Sequence, residues 1–408
     1  MSNSCYLQRM SLAACVAWAV VTVPAFAQKK YDPGASNTEI KIGNINPYSG
    51  PASAYAVIGK ASEAYFRMIN DLGGINGRKI NFISYDDAYS PPKTVEQARK
   101  LVESDEVLLI FQPLGTAGNT AIQKYMNAKK VPQLFVASGA VKWGDPTHFP
   151  WTMGFQPNYQ SEGRIYAKYI LEHHKDGKIA VLYQNDDFGK DLLKGLKDGL
   201  GAKASMIISE ATYESGDPQV ESQIVKLKTS GADIFVDIAA PKFAAQTIKK
   251  LAALDWKPVH FLANVSGSIG SVLRPAGLEN AKGILSTAYT KDAADPAWKD
   301  DPKMKAWNAF MDKYMPDADR QDQAYISSFM ATQTLVEVLK KCGDNLTREN
   351  VMRQAASLKD FEVDVLLPGI KVNTGPNDFF PVEQMQMRRF TGQTWELFGP
   401  IIDGEIGS

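Results

Sequence analysis

Short apolar runs alternate with amphipathic segments over most of this chain. The run Val107-Leu108-Leu109-Ile110-Phe111 is continuously apolar, which is typical of a strand in a sheet that is covered on both faces. Between Ala61 and Leu72 the apolar residues recur at steps of three and four, and Gly73-Gly74 follows. This spacing predicts an amphipathic helix that ends at the glycines. The alternation of the two patterns predicts parallel sheets flanked by helices.

The predicted elements form two successive series. The first has strands at 40–43, 80–85, 107–111 and 131–136 and helices at 61–72, 93–103 and 120–129. The second has helices at 163–173, 190–200, 218–229 and 243–254 and strands at 179–183, 205–212 and 234–238. Beyond Gly283 come a strand at 284–289, helices at 302–314 and 322–341, and a hairpin-like pair at 384–390 and 394–398. We expect two lobes, with the late strands completing the earlier sheets.

The first residues have the pattern of a secretory signal peptide. Arg9 precedes an apolar run over 10–23, and Ala25-Phe26-Ala27 precedes a polar segment. This arrangement predicts cleavage after Ala27 and export from the cytoplasm. The run is shorter than the roughly 20 apolar residues that cross a bilayer, and no later run is longer, so we expect no membrane span. A lipid anchor at Cys15 is the alternative, although Cys15 lies inside the apolar run rather than after it.

Composition narrows the function further. Lys plus Arg and Asp plus Glu each number 45, so the chain has no overall field that would attract nucleic acid or an anionic membrane. The expected partner is a small molecule. At about 100–200 residues per domain, 408 residues also agree with two lobes. Cys342 is the only cysteine after the leader, so we expect no intrachain disulfide.

Sequence signatures of enzymes are largely missing. The first strand is not followed by a G-x-G-x-x-G motif, and the chain has no Walker loop and no G-x-S-x-G elbow. Its four histidines do not have the spacing of zinc ligands. Asp86-Asp87 and Asp186-Asp187 follow strands, where a hydrolase could place two acids, but aspartates there more often cap the next helix. We therefore expect no catalytic residues, no metal and no cofactor.

Aromatic residues lie at the predicted carboxyl ends of strands. They are Tyr48, Tyr55, Tyr89, Trp143, Phe155, Tyr159, Phe188 and Tyr289. Each alone fits packing, but in open α/β sheets this edge is where ligands bind. The segment 115–119 lies between a strand and a helix, where backbone N–H groups can hold a carboxylate. Together these positions predict a pocket for a small acid.

Four segments carry a resemblance to a known family. They are Gly43-Asn44-Ile45-Asn46-Pro47-Tyr48-Ser49-Gly50-Pro51, Asn70-Asp71-Leu72-Gly73-Gly74-Ile75-Asn76-Gly77-Arg78, Tyr85-Asp86-Asp87 and Asn185-Asp186-Asp187-Phe188-Gly189. They resemble the leucine/isoleucine/valine-binding-protein family of type I periplasmic receptors. The resemblance implies a monomer in the periplasm with two Rossmann-like lobes joined by three crossings, 28–157 plus 287–375 and 158–286 plus 376–408. It also implies a ligand caught between the lobes and docking onto an inner-membrane ABC permease.

The resemblance also implies which residues bind the ligand. In the first lobe two loops hold a carboxylate, and Tyr55 matches an aromatic residue that lines the side-chain end of the pocket. The binding residues in the two loops are Leu114, Thr116, Ala137, Ser138, Gly139 and Ala140. In the second lobe and its entry they are Asn158, Phe188, Ala240, Val265, Ser266 and Tyr289. Val265 aligns with an acidic residue that pairs with the α-ammonium of an amino acid in relatives, Asn158 with an aspartate, and Ala240 lies in a loop that bears a tyrosine.

The valine at position 265 changes the expected ligand. A buried ammonium without a carboxylate partner costs several kcal/mol, so we expect a carboxylate without an α-amino group. The run 86–93 resembles a branch of the family associated with benzoates and hydroxycinnamates, which favours an aromatic body. The alternatives are a receptor for branched-chain amino acids, amides or urea, a secreted hydrolase that uses an aspartate pair, and a sensor module that acts through a partner.

Overall fold

The computed structural model describes residues 29–403. The predicted leader, with its cleavage site after Ala27, lies outside these residues. Two large sheets dominate the described part, one of five strands and one of seven. None of the helices within residues 29–403 combines the length and apolar character required of a membrane span.

The five-stranded sheet and its helices form the first lobe. Its strands are all parallel, in the order β3-β2-β4-β5-β6. The elements are β1 (Lys30–Tyr31), β2 (Glu39–Asn46), α1 (Ala56–Asp71), β3 (Lys79–Asp86), α2 (Pro91–Arg99), β4 (Leu109–Phe111), α3 (Thr116–Lys129), β5 (Gln133–Val136) and β6 (Thr152–Gly154). Residues 107–111 are fully buried, as the continuous apolar run predicts.

The seven-stranded sheet forms the second lobe. From one edge to the other its strands are 395–403, 384–390, 285–288, 259–262, 234–238, 179–184 and 207–213. Its first series comprises α4 (Tyr159–His173), β7 (Ile179–Gln184), α5 (Asp187–Leu200), β8 (Ile207–Tyr213), α6 (Glu221–Thr229), β9 (Ile234–Ile238), α7 (Pro241–Ala253), β10 (Val259–Leu262), α8 (Arg274–Ala276) and β11 (Leu285–Ala288). These strands are parallel, whereas the last two strands of the chain, 384–390 and 395–403, join the edge antiparallel.

The segment after β11 returns to the first lobe. It comprises α9 (Pro302–Tyr314), α10 (Gln323–Cys342), β12 (Asn345–Leu346) and α11 (Arg348–Ala355), and the chain then ends in β13 (Gln384–Phe390) and β14 (Trp395–Asp403). Tyr65 of α1 packs its ring against Phe310 and Phe329 at centroid distances of 5.8 and 4.8 Å, and β12 pairs with β1. The chain therefore crosses between the sheets after Gly154, after Ala288 and before Gln384.

The predicted α/β fold with two lobes of mainly parallel sheets is confirmed, and the late strands do complete an earlier sheet. Local details differ. The helix expected over 93–103 is an α-helix only as far as Arg99, and Lys100–Ser104 continue it as a wider π-helical turn. Of the pair Asp186-Asp187, Asp186 caps the following helix, because its side chain accepts from the backbone N–H groups of Phe188 and Gly189.

The interior of both lobes is packed with large apolar side chains. Trp143, Trp307 and Trp395 are almost completely buried. Cys342 of α10 is a free, buried thiol, and burial raises its pKa to about 12. Because the thiolate is the reactive form of cysteine, burial disfavours reaction at this thiol.

Candidate functional site

The carboxyl ends of the parallel strands in both lobes face a common cleft, which contains two small neighbouring cavities. We call them the first chamber, of about 50 Å³, and the second chamber, of about 40 Å³. Tyr55, Ile58, Gln156 and Val265 line both. The Tyr55 hydroxyl donates to the carbonyl of Val265 at 3.1 Å. This bond joins the lobes across the cleft and separates the chambers.

The lining of the first chamber is apolar or neutral. Besides the four shared residues, it comprises Tyr89, Leu114, Gly115, Thr116, Ala137, Tyr159, Phe188 and Ala240. These residues come from the ends of β3, β4, β5 and β9, from the first crossing, and from the start of α5. None of the lining side chains is charged, so a bound molecule meets hydroxyls, backbone groups and rings.

A directed chain of hydrogen bonds ends at Thr116 in the first chamber. The Ser138 hydroxyl oxygen accepts from Nε1 of Trp143 at 3.0 Å and from the backbone N–H of Ala140 at 3.3 Å. Because both acceptor positions of this oxygen are used, its own proton is left to donate to Thr116 Oγ1, 2.7 Å away. Thr116 then accepts from Ser138, and its hydroxyl proton is directed to whatever occupies the chamber.

The backbone beside Thr116 strengthens this donor character. Thr116 begins α3, a helix of 14 residues, and the N–H groups at a helix start favour negative charge. Gly115 precedes it with φ +97°, and a Cβ there would lie 2.5 Å from the ring of Tyr89. Glycine at this position therefore lets the Tyr89 ring close over the start of the helix.

Aromatic rings form the opposite side of the first chamber. Tyr159 and Phe188 meet edge to face, with ring centroids 4.9 Å apart. The backbone N–H of Tyr159 donates to the Gly139 carbonyl at 2.7 Å, and a Cβ on Gly139 would lie 2.5 Å from the Pro157 carbonyl oxygen. Burial raises the pKa of Tyr55, Tyr89 and Tyr159, so their phenols remain neutral at physiological pH.

The second chamber is more polar and contains one acid. Besides the shared residues it is lined by Pro241, Asn264, Ser268, Ser271, Tyr289, Asp322, Gln323, Ala324 and Ser327. Oδ1 of Asp322 accepts from the Ser268 hydroxyl at 3.1 Å and from the backbone N–H of Ala324 at 3.0 Å. Burial raises the pKa of Asp322. This chamber therefore contains a buried acid among hydroxyl and amide groups.

A buried arginine lies behind the second chamber. Arg388 donates from Nη2 to the side-chain oxygen of Gln323 at 3.1 Å, and Gln323 donates to the Asn264 carbonyl at 2.6 Å. The guanidinium lies over the Trp395 ring, with its carbon 4.3 Å from the centroid. Its Nε has no hydrogen-bond partner within residues 29–403. Gln323 thus separates this cation from the chamber.

Ion pairs join the two lobes on both sides of the cleft. Lys142 Nζ lies 2.5 Å from Oδ2 of Asp187 on one side, and Arg274 Nη1 lies 2.6 Å from Oδ2 of Asp319 on the other. Next to the second pair, the backbone N–H of Gly270 donates to the carbonyl of Gln321 at 3.0 Å. The structure therefore has its lobes in contact, with both chambers enclosed between them.

Eight of the residues predicted to bind ligand line the chambers: Tyr55, Leu114, Thr116, Ala137, Phe188, Ala240, Val265 and Tyr289. Ser138, Gly139 and Ala140 lie directly behind this lining. Asn158 turns inward, where its side chain caps α4 by accepting from the backbone N–H of Ser161 at 2.8 Å. The Ser266 hydroxyl donates to the Ala239 carbonyl at 2.6 Å.

The aspartate pairs have structural partners. Oδ1 of Asp86 accepts from the backbone N–H of Ala88, and Oδ1 of Asp87 accepts from that of Tyr89, each at 2.9 Å. Oδ2 of Asp87 accepts from the Thr94 hydroxyl at 2.7 Å. These are the turn and cap contacts that aspartates make after strands.

Several lining residues were not among the predicted ones. They include Ile58, Gln156, Asn264, Ser268, Asp322, Gln323 and Ser327. Asp322 immediately precedes α10 and caps it, so by its sequence position it is indistinguishable from an ordinary helix cap. Ile58 belongs to the amphipathic pattern of α1. The position of Gln156 in the sequence does indicate a place in the cleft, since it lies next to Phe155 at the predicted boundary between the lobes.

Comparison with known proteins gives a consistent result. A family model described as periplasmic binding protein matches residues 39–394. Leu/Ile/Val-binding protein homolog 1 of Brucella suis is 26% identical over 325 residues, which cover 78% of this chain and 82% of that protein.

Two solved structures have the same fold. A branched chain amino acid ABC transporter protein from Thermus thermophilus with bound valine superposes with a TM-score of 0.79 at 18% identity, covering 91% of this chain and 97% of that one. A fatty acid ABC transporter substrate-binding protein from Thermomonospora curvata superposes with a TM-score of 0.76 at 19% identity, covering 92% and 95%. The fold of two lobes around a cleft is common to all three.

Proposed function

We propose that this chain, a solute-binding receptor that belongs to the periplasmic binding protein family, captures a small aromatic carboxylate between its lobes for an ABC importer. The ligand class is of the benzoate or hydroxycinnamate type. Closure of the lobes around such a molecule would present the closed form to an inner-membrane permease. The bound ligand can shift the lobes toward the closed form only by as much as it binds that form more tightly.

The observation that carries this proposal is the hydrogen-bond chain that ends at Thr116. Trp143 and Ala140 donate to Ser138, Ser138 donates to Thr116, and the Thr116 hydroxyl is left to donate into the chamber. A ligand group at this point must accept hydrogen bonds, and the start of α3 favours a negative one. A carboxylate meets both requirements.

The rest of the first chamber supports an aromatic body. Tyr89, Tyr159 and Phe188 offer ring faces and edges, and offset or edge-to-face contacts between rings stabilise by about 0.5–1.5 kcal/mol each. Val265 and Ala240 line the side from the second lobe and bring no charge. A larger ligand would displace Tyr55 from the Val265 carbonyl and merge the two chambers, since both residues line both cavities.

Calorimetric titration of the exported chain tests the proposal. The ligands are 4-hydroxybenzoate, 4-hydroxycinnamate, leucine and valine, with 4-hydroxybenzamide as the matched neutral control. We expect the two aromatic acids to bind, and the amide to bind at least about tenfold more weakly because charged acceptors form stronger hydrogen bonds. At a hundredfold excess over Kd, a bound acid should stabilise the fold by about 2.7 kcal/mol. Binding of leucine without any aromatic acid would overturn the proposed ligand class.

A second candidate function is capture of a branched-chain amino acid. Asp322 is a buried carboxylate in the second chamber, and it could take the ammonium group while Thr116 takes the carboxylate. The name of the Brucella suis relative refers to Leu, Ile and Val, which favours this candidate. The name of the Thermomonospora curvata protein refers to a fatty acid, a carboxylate without an amino group.

The variant Asp322→Asn distinguishes the two candidates. If the ligand is an amino acid, loss of the carboxylate leaves a buried ammonium unpaired, and leucine should bind at least about a hundredfold more weakly. If the ligand is an aromatic acid, its affinity should change little. The titration series above, repeated on this variant, gives both answers.

A further inference from the structure

The second lobe has a large open groove at the end of its sheet opposite to the cleft. We call it the base groove; it lies where β10 begins at Val259 and β11 begins at Leu285, and its volume is about 750 Å³. The cleft, in contrast, is lined by residues that follow the other ends of these strands, such as Asn264 and Tyr289. Grooves of about 300–1,000 Å³ are the usual size of small-molecule sites.

The walls of the base groove are apolar and aromatic. Ile248 and Leu251 of α7 form one side, and Trp256 and Tyr169 contribute two half-buried rings. The Trp256 ring is backed by Phe235 at a centroid distance of 5.3 Å, and the Tyr169 ring by Phe261 at 5.8 Å. These rings are therefore supported from behind and present surface to the groove.

Two exposed cations lie on the rim of the groove. Lys282 and Arg389 line the groove and are exposed, and neither forms an ion pair with any of the residues 29–403. The Arg389 guanidinium lies over the Phe398 ring, 5.1 Å from its centroid, which holds it in place. Lys257 also lines the groove but is paired with Asp255 at 2.6 Å. Among the lining residues within 29–403, Glu279 is the only acidic one, so this part of the rim has a net positive charge.

The floor contains a buried histidine backed by a buried carboxylate. His260 lines the groove and is only 7% exposed, and its Nε2 lies 3.5 Å from Oδ2 of Asp237. Within residues 29–403, neither Nε2 nor the oxygens of Asp237 have a hydrogen-bond partner. Buried polar groups without partners are costly and rare. Nε2 faces Asp237 and is itself inaccessible from the groove, so His260 lines the floor through the rest of its ring.

We propose that the base groove is a second small-molecule site, which binds a flat organic anion. Its ring would lie against Trp256 and Tyr169, its charged group would contact Lys282 and Arg389, and His260 would contact it from the floor. Because all of these residues belong to the second lobe, this site is complete whether the lobes are open or closed. It therefore binds independently of the cleft ligand.

Titration of the exported chain with 8-anilinonaphthalene-1-sulfonate, followed by its fluorescence, tests this site. The variant Lys282→Ala/Arg389→Ala removes both unpaired cations, and Ala252→Trp fills the groove from an exposed position on α7. The matched control is Lys93→Ala/Lys124→Ala, which removes two exposed lysines of the first lobe. Val265→Glu serves as a control that alters the cleft alone. Thermal unfolding checks that each variant is folded.

We expect saturable binding of one probe molecule per chain. The affinity should fall at least about tenfold in the double cation variant and in Ala252→Trp, and should stay unchanged in both controls. Neutral N-phenyl-1-naphthylamine should bind more weakly than the sulfonate. No saturable binding, an equal loss in the lysine control, or a loss confined to Val265→Glu would overturn the proposal.

Discussion

The two chambers of the cleft share four lining residues but differ in charge. The first ends at the Thr116 hydroxyl and the start of α3, and none of its lining side chains is charged. The second contains Asp322 and the polar side chains of Asn264, Ser268 and Gln323. The first chamber thus donates a hydrogen bond from Thr116, while the second contains a buried acid among amide and hydroxyl groups.

This difference shows how one cleft can serve either of two ligand classes. A carboxylate fits the donating chamber in both cases, so Thr116 does not separate an aromatic acid from an amino acid. The second chamber does separate the two classes, because only a ligand with an ammonium group gains affinity from contact with Asp322. Three substitutions test this division, and they follow in order of expected effect.

Val265→Glu should have the largest effect, since Val265 lines both chambers. The new carboxylate would be buried against the proposed ligand without a cation to pair with, at a cost of several kcal/mol. We expect titration calorimetry to show at least about a hundredfold loss of affinity for 4-hydroxybenzoate.

Val265→Gln is the matched control, because it has a similar size without the charge. It should retain considerably more affinity than Val265→Glu. Leucine binding that improves in Val265→Glu would instead indicate that the site accepts an ammonium group at this position.

Thr116→Val should have an intermediate effect. It keeps the shape of the side chain but removes the hydroxyl that ends the donor chain from Ser138. Hydrogen bonds to charged groups contribute about 1.5–3 kcal/mol. Calorimetry should therefore show that the affinity for an aromatic acid falls roughly tenfold or more. Thr116→Ser retains the hydroxyl and should recover most of the affinity; equal loss in both variants would contradict the donor role.

Asp322→Asn should have the smallest effect on an aromatic acid, less than about threefold in Kd. It also predicts a pH dependence. Burial raises the pKa of Asp322, so the carboxyl group keeps its proton to higher pH in the folded chain than in the unfolded chain. The free energy of unfolding therefore decreases as the pH rises from about 3.9, the pKa in the unfolded chain, through the pKa in the folded chain. The side-chain amide of the Asp322→Asn variant does not titrate, so the variant does not lose stability over this pH range. Its amide oxygen can still cap α10.

Urea unfolding at pH 4 and pH 7 measures this effect. The variant should gain stability relative to the natural chain on going from pH 4 to pH 7. A relative loss over the same interval would show that the ionised carboxylate is stabilising where it lies, which would strengthen the case for a cationic ligand group.

The fold was predictable because its signals are local. Two βα series follow from two local patterns: continuous apolar runs for the strands, and apolar residues at three- and four-residue steps for the helices. Parallel strands in turn bring their carboxyl ends to one edge of the sheet. That edge contains Tyr55, Thr116, Ala137 and Ala240, which explains why strand ends and family resemblance pointed to these lining positions.

The second chamber depends on contacts between distant segments. Asp322 and Gln323 reach the cleft because the chain returns to the first lobe after β11 and packs α10 on α1. Their sequence surroundings show only the start of a helix. Asn158 illustrates the opposite case: it lies at the crossing beside the cleft, but its side chain turns inward to cap α4. Side-chain direction at such positions is determined by three-dimensional packing.

The ion pairs across the cleft have a kinetic consequence. A molecule enclosed in chambers this small can leave only when the lobes separate, so its residence time is bounded by the lifetime of the closed form. Lys142–Asp187 and Arg274–Asp319 are partly exposed, and ions in solution weaken such pairs over a Debye length of about 8 Å at physiological salt. Escape of the cargo should therefore quicken as the surrounding salt concentration rises.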